Sequence, residues 1–190
     1  MKINIIRSEE HKTQTWSGGT TTQLFIYPLD SDYKSKTFDF RISTATVEQE
    51  FSEFTPLSGV SRKLMVLEGE LKIEHKNHHH SILKPLDVDR FDGAWQTSSI
   101  GLCTDFNLMC TADVSGDITG VALEKNKPLE LNSDAGKLLL YLYKGGVFVS
   151  FDEQIVKLKP GDLICFDDPH SVIIESKEDS IIAISEIRIK

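Results

Sequence analysis

Residues 83–92, Leu83-Lys84-Pro85-Leu86-Asp87-Val88-Asp89-Arg90-Phe91-Asp92, return without a gap 75 positions later as Leu158-Lys159-Pro160-Gly161-Asp162-Leu163-Ile164-Cys165-Phe166-Asp167, with six of ten positions identical. Each copy follows an apolar, strand-like run and a glycine turn: Leu64-Met65-Val66-Leu67-Glu68-Gly69 in the first half, and Leu138 to Leu142 before Gly145-Gly146 in the second. A supersecondary unit used twice is the simplest source of such a repeat. The turn Lys159-Pro160-Gly161-Asp162 has Pro to preset its second position and Gly for a positive φ at its third. Leu86 stands where Gly161 would be, which predicts a different turn type in the first copy.

Strand signals dominate outward from the repeat. Gln23 to Tyr27, Phe38 to Ser43, Lys63 to Leu67, Glu70 to His75, Lys137 to Tyr143, Val147 to Phe151, Leu163 to Phe166, Val172 to Glu175 and Ile181 to Ile189 are short and rich in β-branched and aromatic residues. Gly, Pro, Asp or Ser bounds them. Phe38, Phe40 and Ile42 share one face, with Asp39, Arg41 and Ser43 on the other, a period of two that suits a strand and not a helix. Thr111 to Asn132, with Gly116, Gly120 and Pro128, reads as the connection between halves.

The chain has 190 residues, 39% hydrophobic and 26% charged, enough to bury a sizeable core in one or two domains. A net charge of -8 and the lack of a basic stripe argue against nucleic acid as a partner. Apolar runs such as Leu138 to Tyr143 are far shorter than the roughly 20 residues needed to cross a bilayer, and the first residues lack a signal peptide's apolar core. A cytoplasmic protein without membrane contact is the expectation. Cys103, Cys110 and Cys165 form no C-x-x-C pair and read as small core residues.

The doubled unit resembles the cupin double-stranded β-helix. The expected fold is therefore all-β, a bicupin of two jelly-roll units, with residues 1–112 as the first unit and 113–190 as the second. Leu158 to Asp162 followed by Asp168-Pro169-His170 looks like a cupin's second motif, in which a histidine joins two others and a glutamate around a metal ion. Neither half has a His-x-His before its glycine turn, so His170 is left alone and no metal or other cofactor is expected. His75, His78, His79 and His80 crowd one hairpin tip, which predicts an exposed polar loop.

Polar residues among apolar ones mark a candidate ligand site in the first half. Trp16-Ser17-Gly18-Gly19-Thr20-Thr21-Thr22 brings an aromatic, two glycines and hydroxyls to the start of a strand. Arg41 and Ser43 share a face, as do Asp105 and Asn107. A guanidinium matches a carboxylate bidentately, while hydroxyls and amides fix orientation. The competing reading pairs Arg41 with Asp105 or Asp39 on a solvent-facing sheet.

The same segments resemble the HutD/Ves family: Trp16 to Thr21, Arg41-Ile42-Ser43-Thr44-Ala45, Phe51 to Phe54, Gly59-Val60-Ser61-Arg62 leading to Leu67-Glu68-Gly69, Phe91-Asp92-Gly93, and Asp105 to Met109. The resemblance implies a cupin-type fold and a small-molecule pocket in the first half. It also implies, in some members, a link to histidine degradation and formylglutamate, and in others a link to stress responses. On this reading the chain is a metal-independent binding protein rather than an enzyme. Trp16 would form a wall, Thr20 and Ser43 would donate hydroxyls, and Arg41 would hold a ligand carboxylate. Asn107 would orient an amide, Asp105 would orient Arg41 or take a cation, and Arg62 is a second anion-binding candidate. The ligand expected is a small anion; a homodimer through an edge strand is compatible with the composition. The alternative is a cupin metalloenzyme with ligands drawn from His170, His11 and carboxylates.

Overall fold

The computed structural model describes residues 1–189, and they form nineteen strands and a single 3-10 turn, Ser8–Glu10. The strands are β1 (Lys2–Ile6), β2 (Lys12–Trp16), β3 (Gly19–Tyr27), β4 (Phe40–Val47), β5 (Phe51–Glu53), β6 (Val60–Gly69), β7 (Leu71–His75), β8 (His80–Leu83), β9 (Val88–Asp92), β10 (Thr97–Ile100), β11 (Cys103–Thr111), β12 (Val114–Leu123), β13 (Leu129–Asn132), β14 (Lys137–Lys144), β15 (Val147–Phe151), β16 (Gln154–Leu158), β17 (Leu163–Asp167), β18 (Ser171–Ser176) and β19 (Ser180–Ile189). The all-β expectation holds, and no helix among the described residues is long and apolar enough to cross a membrane.

Two compact units account for the chain, one of Lys12–Ser115 and one of Met1–His11 with Gly116–Ile189. Each is built from a larger and a smaller antiparallel sheet, as in a jelly roll. In the first unit the order β2-β3-β4-β11-β6-β9 accompanies β5-β10-β7-β8; in the second, β1-β17-β14-β19-β12 accompanies β13-β18-β15-β16. Leu64, Val66 and Phe91 from the larger sheet close one core with Leu71, Ile73 and Leu83 from the smaller. Leu138, Leu140, Phe166 and Ile184 do the same with Val149, Leu158 and Ile174 in the second unit. Full burial of each such side chain is worth about 1.5–3 kcal/mol.

Two expectations about the boundary change. Strand β1 runs antiparallel to β17, with Ile3 opposite Phe166 and Ile5 opposite Ile164, so the first eleven residues belong with the second unit. Arg7 reinforces this with a 2.7 Å bond from Nη1 to Oδ2 of Asp162. The segment read as a plain connection contains the ten-residue strand β12 and also β13, and β12 lies beside β19.

The repeated turns are alike, against expectation. Leu86 has φ +74° and Gly161 φ +89°. The Asp87 amide donates to the Lys84 carbonyl at 2.9 Å, and the Asp162 amide to that of Lys159 at 3.0 Å. In both copies the Asp carboxylate also accepts the Lys amide, at 2.9 and 3.0 Å. The third residue's amide then reaches a neighbouring strand, Leu86 to Val66 at 2.7 Å and Gly161 to Leu142 at 2.8 Å. Pro, Asp and the strand docking fix the turn, and Leu86 adopts a conformation that costs an L-residue roughly 1–2 kcal/mol.

Candidate functional site

The larger sheet of the first unit carries a patch of polar side chains on the face that packs against the smaller sheet. Register places Arg41 opposite Met109 and Met109 opposite Arg62; Ser43 opposite Asn107, and Asn107 opposite Leu64; then Ala45 opposite Asp105, and Asp105 opposite Val66. Because side chains alternate with period two, these rows share the face of the core residues Leu64 and Val66. A register shift between Gln23 and Phe25 sets Gln23 opposite Ser43, next to Arg41. Arg41, Ser43, Arg62, Asp105 and Asn107 are all buried, so the solvent-facing alternative does not hold.

Arg41 is 6% exposed and has only neutral hydrogen-bond partners: Nε donates to Gln23 Oε1 at 3.0 Å and Nη1 to Ser43 Oγ at 3.0 Å. The Tyr33 ring lies over its guanidinium at 4.4 Å. Among the described residues no carboxylate pairs with it, and burial lowers its pKa. Arg41 borders a cavity of about 270 Å³ lined also by Lys12, Gln14, Thr21, Gln23 and Tyr33. Its charged lining residues are Lys12, Lys34 and Arg41 against Asp32 alone, a positive site in a chain of net charge -8.

Arg62 lies in the same row, roughly 10 Å from Arg41 across two strand spacings. Its guanidinium lies against the edge-to-face Phe54–Phe91 pair, 5.0 and 5.2 Å from the two rings, and among the described residues its buried Nε has no hydrogen-bond partner. Burial lowers its pKa, with Tyr33 and Asp105 acting in the other direction. Arg62 lines a second cavity of about 560 Å³ with Lys63, Arg90, Phe91 and Trp95, so the two arginines open onto different spaces. Asp105 orients neither. Its Oδ1 accepts from Asn107 Nδ2, and burial pushes its carboxyl up to about 7 despite that bond and the pull of Arg62.

Trp16 and Thr20 do not join the patch. Thr20 pairs with Thr46, whose Oγ1 lies 3.5 Å from Thr104 Oγ1 on the opposite face; Thr21, opposite Ala45, is the threonine of that segment that lines the cavity. Trp16 is 38% exposed and its ring covers Gly18, where a Cβ would meet it at 2.2 Å. Gly19 has a different reason: a Cβ there would lie 1.9 Å from the Thr46 carbonyl oxygen. Sequence alternation put Arg41 with Ser43 and Asp105 with Asn107 on shared faces, and the register joins them on one buried face. It missed Gln23 because of the irregularity at Leu24, and Tyr33 because that residue comes from the loop before β4.

The histidine tip departs from expectation. His75 is 1% exposed, its Nδ1 2.8 Å from Thr97 Oγ1 and its Nε2 3.1 Å from Asp89 Oδ2. His79 Nε2 lies 2.9 Å from Asp89 Oδ1, and His78 stacks on Trp95 at 3.8 Å. Burial lowers the His75 pKa; for Asp89, burial is outweighed by bonds from His79, His75 and the Arg90 amide, which hold its carboxyl below the usual range. The other metal-ligand candidates are placed elsewhere: His11 Nε2 lies 2.8 Å from the Gly161 carbonyl oxygen, and His170 is exposed. The three cysteines are buried and free, and desolvation raises their thiols to about 12, 11 and 12 in chain order.

Against known proteins, the HutD family model matches residues 8–184. The chain belongs to the HutD family. Among solved structures, the HutD-family chain is similar to the conserved protein of unknown function PA5104 from Pseudomonas aeruginosa PAO1, with a TM-score of 0.85 and 21% identity over 99% of this chain and 100% of that one. HutD from Pseudomonas fluorescens SBW25, solved in a formate condition, gives 0.77 and 21% over 100% of both chains. The bacterial pirin YhhW from Escherichia coli, solved with nickel(II), gives 0.74 and 12% over 97% of this chain and 98% of that one. At these identities the likeness establishes a cupin-type fold and nothing finer. Comparison with curated protein sequences gives no match.

Proposed function

We propose that this HutD-family protein binds a small carboxylate in the Arg41 cavity, through protein side chains and without a metal, and serves in the cytoplasm as a sensor in amino-acid catabolism. The observation that carries the reading is Arg41 itself: a buried guanidinium facing a partly enclosed space, hydrogen-bonded among the described residues only to Gln23 and Ser43. An uncompensated buried cation is costly, and a ligand carboxylate would offset that cost. Gln23 and Ser43 hold the guanidinium in place, Tyr33 covers it, and Lys12 and Lys34 add attraction at the rim. A volume near 270 Å³ suits an amino-acid-sized acid. Formylglutamate, urocanate and glutamate are the acids that the family resemblance makes worth testing first.

The test is Arg41→Ala. Loss of the charge-assisted contact should weaken binding of the acid by about 2–5 kcal/mol while the circular dichroism spectrum stays that of the folded protein. Undiminished binding would remove Arg41 from the site.

A further inference from the structure

The geometry points to a divalent transition-metal site formed by His75, His79 and Asp89, separate from the Arg41 cavity. Their ligand atoms all lie within 4.8 Å of one another. Two imidazoles converge on one buried carboxylate, with His75 Nε2 3.1 Å from Asp89 Oδ2 and His79 Nε2 2.9 Å from Oδ1. With an ion on Nε2, His75 would donate from Nδ1 to Thr97 Oγ1, 2.8 Å away, whose own proton has the Trp95 carbonyl within reach at 3.3 Å.

The rest of the arrangement is that of a built ligand set. A metal-bound histidine donates its other ring N–H to a fixed acceptor, as Thr97 Oγ1 provides for His75. The Arg90 amide holds Asp89 Oδ1 at 2.7 Å. The turn at the hairpin tip, with the His75 amide bonded to the His79 carbonyl at 2.9 Å, brings the second imidazole over the first at a ring separation of 4.5 Å. Phe91 and Trp95 pack against His75, at 4.4 and 5.6 Å, and keep that side dry. For bonds of about 2.1 Å a tetrahedral ion needs its ligands about 3.4 Å apart. The present separations, 3.1 Å from His75 Nε2 to Oδ2 and 2.9 Å from His79 Nε2 to Oδ1 with all ligand atoms within 4.8 Å, would close on an ion through side-chain rotation. Two imidazoles and a carboxylate suit zinc, cobalt(II) or nickel(II) rather than calcium or magnesium. The His79 side chain is 40% exposed, which leaves the ion a face open to water or to a further ligand.

Cobalt(II) titration of the tag-free, chelator-treated full chain, followed by calorimetry and by visible absorbance, tests the site. One equivalent should bind with the d–d bands of a coordinated ion. His79→Ala and Asp89→Asn should each weaken uptake at least 100-fold, whereas His78→Ala and His80→Ala should leave it unchanged. His79 is partly exposed, so its variant keeps the test informative if Asp89→Asn does not fold. Absence of uptake by the parent protein, uptake that survives His79→Ala, or an equal loss in the His78 and His80 variants, which would mark adventitious binding by the exposed tract, would each overturn the proposal.

Discussion

At the scale of single residues, Asp105 and Arg62 carry the clearest physical tension. Asp105 is a carboxyl in the core beside an arginine that does not reach it, and it titrates near 7 instead of the ordinary 3.8. The folded protein therefore holds this proton more tightly than the unfolded chain, so the stability it contributes is fully present below about pH 4 and lost as pH rises through 7. Asp105→Asn keeps an acceptor for Asn107 and removes the charge. Its unfolding free energy should exceed that of the parent increasingly from pH 4 to 8, by a few kcal/mol at most; parallel pH profiles would contradict this. The alternation of Asp105 and Asn107 was legible in the sequence, but not their partners. A strand pattern gives the face, while the partner depends on register, and register set Met109 rather than Asp105 beside Arg41.

At the scale of elements, the repeated Pro-x-Asp turn shows what a local rule can and cannot give. Its existence, its proline and its place before a strand followed from the sequence. The conformation of its third residue did not, because Leu86 is carried into positive φ by hydrogen bonds on both sides of it. In the second copy, a side chain at Gly161 would also lie 2.7 Å from Ser8 Cβ. Gly161→Ala should therefore cost about 1–2 kcal/mol or more, seen as a lower urea midpoint with unchanged slope. Leu86→Gly in the twin turn should be neutral or stabilising. The opposite ranking would mean that the two turns are not equivalent. The histidine hairpin makes the same point: its strands and tip were legible, but the burial of His75 followed from Asp89, fourteen residues away and on another strand.

At the scale of the molecule, the sequence showed two β units, and the family resemblance found in its motifs agrees with the HutD match and the cupin-type fold. What it did not show was that the chain's beginning completes its second unit, because Lys2 to Ile6 is a weak alternating pattern that gains meaning only from its partner β17. Deleting residues 1–8 removes that strand and the Arg7–Asp162 pair. Limited proteolysis should then cut first within Gly116–Ile189, and the unfolding midpoint should fall by several degrees; an unchanged digestion pattern would contradict the pairing. Ligand binding in the Arg41 cavity is read most directly by thermal unfolding of chelator-treated protein with formylglutamate, urocanate, histidine or glutamate. A ligand at a hundred times its dissociation constant adds about 2.7 kcal/mol of stability. The account predicts a saturable rise from one of these acids without metal, absent in Arg41→Ala. No rise with any of them, or a rise that persists in Arg41→Ala, would contradict it.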